Sequence, residues 1–88
     1  METPEDAMKP TVCSLSETVT GQSGTVTFLY GGHHCRERLA SMGLSVGSKV
    51  RVLRGANGSA GPVLVAAGDS RLAVGRGMCE HVMLQLDP

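Results

Sequence analysis

The sequence predicts a small all-β domain with one short inserted helix, and three observations carry that reading. Twelve glycines punctuate 88 residues, a density that suits many turns between short strands and not a helical bundle. Between the glycines lie short runs in which apolar and polar residues alternate, the period of a half-buried strand. The segment from about Cys35 to Met42 departs from that period. There Cys35, Leu39 and Met42 recur at helical spacing, leaving Arg36, Glu37 and Ser41 for solvent.

Taken in order, Met1 to Pro10 carries two prolines, three acids and no apolar pattern, and is expected to be a disordered leader before a folded domain over 11–88. Thr11 to Leu15 starts the first strand, and Ser16 and Glu17 open a turn that closes near Gly21. Thr25 to Tyr30 is rich in β-branched and aromatic residues and forms the next strand. Val26 and Phe28 share one face of it, and Thr27 and Leu29 the other. Gly31 and Gly32 end that strand and feed the helix. Gly43 stands where a helix C-terminus takes a left-handed residue, with Leu44 placed to pack back on the last turn. Gly47 supports a second bend into the strand Lys49 to Arg54, where Val50 and Val52 alternate with Lys49 and Arg51. Gly55 to Gly61, with its Asn57-Gly58 pair, reads as a flexible hairpin loop. Pro62 to Ala67 returns as a strand, with proline tolerable at its first position. Gly68 to Ser70 turns into a strand over Arg71 to Gly75, with Leu72 and Val74 on one face. Gly75 to Glu80 allows one helical turn, and Val82 to Leu86 closes the chain. Five or six short strands with exposed edges are best satisfied by curling up. The expected architecture is a small, partly open SH3-like barrel with one inserted helix. Phe28 and Tyr30 are the only aromatic residues, so the core must come from Val, Leu, Ala and Met.

Composition excludes several functions. The net charge is zero, and from Thr11 onward seven Lys/Arg face five Asp/Glu. That excess is too small for a nucleic-acid footprint, and aromatic stacking platforms are missing. The longest apolar run, Val63 to Ala67, is far shorter than the roughly 20 residues of a membrane span. No direct membrane insertion is expected. Cys13, Cys35 and Cys79 are odd in number, form no C-x-x-C pair and follow no secretory segment, which suits reduced thiols in a cytoplasm. No catalytic constellation is visible. Ser14 and Ser16 have no patterned histidine, and adjacent helical residues such as His34 and Cys35 do not face each other. The Gly55–Gly61 loop lacks the Gly-Lys-Ser/Thr ending of a phosphate loop. The chain therefore reads as a binding protein and not as an enzyme.

A set of ordered residues spread over 11–86 resembles the FeoA family of bacterial ferrous iron transport. They are Leu15-Ser16, Gly21, Gly24, Val26, Gly31-Gly32, Arg38-Leu39, Met42-Gly43-Leu44, Gly47, Val50, Pro62-Val63, Leu72-Ala73-Val74 and Val82-Met83-Leu84. The stretch from Leu39 to Gly47 is the most specific part. The resemblance implies an SH3-like barrel with no catalysis and no required cofactor. It also implies a cytoplasmic accessory role, exerted by binding the GTP-binding domain of the FeoB-type membrane transporter. Similar domains occur in metal-dependent repressors, so a detached domain modulating such a repressor is an alternative. The absence of attached DNA-binding helices favours transport.

Two clusters could hold metal: His33, His34 and Cys35 at the helix start, and Cys79 and His81 near the end. Thiolate and imidazole suit zinc, and could take Fe(II). If extended, the Cys79–His81 segment would present both side chains to one side. A joint site requires the two clusters to meet, as a metal sensor or carrier would need, and added metal could bridge two chains into a homodimer. The plainer reading makes Cys35 and Cys79 small core residues and leaves His33 and His34 to solvent. For a protein partner, the candidate contacts are Tyr30, Arg36 and Met42, residue types enriched at interfaces, together with the Gly55–Gly61 loop.

Overall fold

The computed structural model describes residues 11–55 and 61–87. The expected leader over 1–10 and the body of the Gly55–Gly61 loop lie outside the described residues. Six strands form one antiparallel sheet: β1 (Thr11–Ser14), β2 (Ser23–Leu29), β3 (Lys49–Arg54), β4 (Val63–Ala67), β5 (Ser70–Val74) and β6 (Val82–Leu86). A 3-10 turn, η1 (Leu15–Glu17), follows β1; helix α1 (His33–Ser41) joins β2 to β3; and a single turn, α2 (Arg76–Cys79), joins β5 to β6. The strand order is β1-β6-β2-β3-β4-β5, so β1 and β5 lie at the two ends of the sheet. This is the small, partly open SH3-like barrel expected.

The core is aliphatic. Val26, Leu29, Val50, Val52, Val63, Val65, Val74, Val82 and Leu84 join the core from the strands, and Leu15, Leu39, Leu44 and Cys79 join it from the helices and turns. Val and Leu pack into a barrel this narrow without the large rings that the sequence lacks. Gly24 marks one close approach: a Cβ there would lie 2.7 Å from the Gln85 carbonyl oxygen on β6.

The helix begins two residues earlier than its apolar spacing suggested and stops where expected. Met42 is its C-cap, and Gly43 follows at φ +100°. The Gly43 N–H donates to the Ala40 carbonyl and the Leu44 N–H to the Leu39 carbonyl, both at 2.9 Å. Those two bonds are the Schellman pair, and the fully buried Leu39 and Leu44 supply its hydrophobic clasp.

Strict alternation in β2 fails. Between Val26 and Phe28 the register with β6 shifts: Val26 stands opposite Leu84, but Phe28 stands opposite Met83. Thr27 is the extra residue of a β-bulge, which reverses the facing of everything after it. Val26 and Leu29 are therefore the buried residues, and Phe28 is 50% exposed.

Candidate functional site

The antiparallel pairing of β2 with β6 places the start of α1 beside the last turn. Leu29 stands opposite Val82. One step further, the Tyr30 N–H donates to the His81 carbonyl at 2.7 Å, and the His81 N–H donates to the Met78 carbonyl at 3.0 Å. Gly31, at φ +98°, then turns the chain into the helix. The segments holding the two clusters of candidate ligands thus become neighbours.

Only part of each cluster takes part in that meeting. Cys35 is half-buried against the core, and its thiol donates to the Met78 sulfur at 3.9 Å. A Cβ built on Gly31 would meet Cys35 Sγ at 3.1 Å and His81 Nδ1 at 3.3 Å. The thiol and the imidazole therefore flank one small space, which is kept open because residue 31 has no side chain. Met78 and His81 are half-buried, like Cys35.

The other three candidates lie apart. His33 is on the exposed side of the helix, with Nε2 3.3 Å from the Glu37 carboxylate one turn on. His34 is exposed beside it, the two rings 6.4 Å apart. Cys79 ends the helical turn α2 and is not extended, so it does not share a side with His81. It is fully buried and donates to the Val74 carbonyl at 3.4 Å. Burial raises the Cys79 thiol pKa, and Glu80 adds to the rise; a backbone hydrogen bond at Val63 and the Arg76 charge oppose it. The Cys13 thiol on β1 is also raised, by burial first and then by Glu17. Among the described residues no three His, Cys, Asp or Glu side chains group in a way that could hold a metal ion.

The partner-contact candidates separate as well. Tyr30 is 52% exposed, and Arg36 is exposed on α1. Met42 is half-buried and packs against the core. Sequence reasoning missed Phe28. Its ring lies edge-on to Tyr30 with centroids 4.7 Å apart, so both aromatic residues of the chain form one exposed pair beside half-buried Met83. It also missed Met78. The signal available for Met78 was its place within the Gly75–Glu80 turn, next to Cys79.

Among the described residues no helix is long and apolar enough to cross a membrane. The FeoA domain pattern matches residues 13–86. A protein of Methanocaldococcus jannaschii named as an Fe(2+) transport protein A is 35% identical over 65 residues, spanning 74% of this chain and 76% of that one. The crystal structure of an iron uptake regulatory protein (FeoA) superposes with a TM-score of 0.82 at 36% identity, covering 88% of this chain and all of the other. A zinc-complexed FeoA from Stenotrophomonas maltophilia, described as an SH3 domain protein, shares the fold with a TM-score of 0.71 at 24% identity, over 85% of this chain and 95% of that one. A manganese-dependent transcriptional repressor shares the fold over 42% of its own length, with a TM-score of 0.76 at 24% identity over 88% of this chain. Agreement in sequence and in structure runs along almost the whole described barrel, and on that ground the chain belongs to the FeoA family.

Proposed function

We propose that this protein is a cytoplasmic accessory factor of ferrous iron transport. It acts by binding the cytoplasmic GTP-binding domain of a FeoB-type transporter, and it carries out no catalysis of its own. The observation that carries this reading is the family match over residues 13–86, reinforced by the 36% identical FeoA structure. The repressor shares the fold at only 24% identity, so the transport reading is preferred to that of a detached repressor domain.

The docking surface is proposed around the exposed pair Phe28 and Tyr30, with Arg36 nearby in the chain. Both rings are about half exposed, and tyrosine and arginine are residues on which interfaces often depend. Met42 acts from beneath, by holding the helix on the core. Deleting the gene should lower Fe(II) uptake in anaerobic cells, and restoring the intact gene should return it. Unchanged uptake would count against the role.

A further inference from the structure

We propose that Cys35, Met78 and His81 form a binding site for a soft monovalent metal ion such as Cu(I). The inference rests on this chain's geometry and does not depend on the transport reading. The two sulfurs are 3.9 Å apart. At metal–sulfur bonds of about 2.3 Å, two sulfur ligands of a trigonal ion stand about 4 Å from each other, so the pair already has the right spacing. His81 Nδ1 faces the same small space as Cys35 Sγ, and Gly31 leaves that space open.

The donor set selects the metal. Thioether and thiolate favour Cu(I), and imidazole accepts it. Zinc prefers four thiolate, imidazole or carboxylate ligands. The described residues bring no three His, Cys, Asp or Glu side chains together for it. The nearest carboxylate on α1, Glu37, is paired with His33 on the exposed side of the helix. All three donors are half-buried, which gives an ion a way in while shielding it once bound. Binding requires no change of oxidation state. The Cys35 thiol releases its proton to solvent as the sulfur–metal bond forms, so uptake weakens as the pH falls. The hydrogen bond from thiol to thioether shows the two sulfurs already oriented toward each other in the free protein.

The test is anaerobic titration of the full chain with Cu(I) supplied as its bicinchoninate complex, with Zn(II) titrated in parallel. One equivalent should transfer to the protein. Cys35→Ser should abolish transfer. Met78→Leu, which keeps the volume and removes the sulfur, should weaken Cu(I) binding by about 100-fold, at least the upper cost of losing even an outer-shell partner. Cys13→Ser and the double variant His33→Ala/His34→Ala should bind as the parent does. Circular dichroism melts confirm that each variant is folded. On addition of Ag(I), a redox-inert probe, the ε-methyl resonance of Met78 should shift while that of Met83 stays in place. No transfer to the parent protein overturns the proposal. Binding that survives Cys35→Ser, or that disappears with the histidine pair, also overturns it and assigns the ion to the surface.

Discussion

Three cysteines in one small chain occupy three different environments. Cys79 is sealed in the core, and its thiol is pushed above the ordinary range mainly by that burial. The folded state therefore holds this proton more tightly than the unfolded chain. The stability it contributes is fully present below about pH 8.5 and is lost as pH rises through the folded value. Cys13 adds a contribution of the same sign. Urea denaturation between pH 7 and 10 should show stability falling on the alkaline side, with a shallower fall in a Cys79→Ala variant. Alkylation offers a second readout at this scale. Iodoacetamide should modify half-buried Cys35 in the native protein, while Cys79 reacts only after unfolding. The sequence already pointed to Cys79 as a small core residue, because an apolar thiol near a strand start is usually buried. It could not show that Cys35 stands against Met78. That contact joins residues 43 apart in the chain, and only the folded topology brings them together.

At the scale of the element, the helix and its exit were legible because their chemistry is local. The left-handed glycine and the leucine that packs back follow from backbone sterics within six residues. Leu44→Ala should cost about 3 kcal/mol, as removal of a fully buried leucine does. Gly43→Ala should cost about 1 kcal/mol, since the space around it is open and only the left-handed backbone is penalised. Thermal or urea melts of the two variants give the comparison. The β2 bulge was not legible. Alternation predicts a partner for Val26 at Phe28, but an extra residue at Thr27 depends on how β6 lies alongside, and β6 is more than fifty residues away. Its consequence can be measured. Val26→Ala should lose about 2 kcal/mol of stability, whereas Phe28→Ala should stay within about 0.5 kcal/mol, the range of surface changes. Equal losses would mean that both residues face the core.

Across the whole molecule, the β2–β6 pairing does two things. It joins the β1–β6 pair to the β2–β5 run of strands in one sheet, and it sets the residues that follow β2 against those that precede β6. The result is an aliphatic-cored body with two features where β2 meets β6, a half-open aromatic pair and a small pocket of sulfur and nitrogen donors. An exposed aromatic pair and a cluster of donor atoms both suit binding. Glycine spacing and aliphatic composition announced the barrel. The surface was harder to read, because exposure of Phe28 follows from the bulge and the meeting of Cys35 with His81 follows from strand order. The measurement that bears most directly on the central claim is a binding titration between this protein and the isolated cytoplasmic GTP-binding portion of the transporter from the same organism, followed by calorimetry. The account predicts a saturable complex, weakened by about tenfold or more when Tyr30 is replaced by alanine, as for a central aromatic contact, with the fold unchanged. Absence of any complex with the folded parent protein would contradict it.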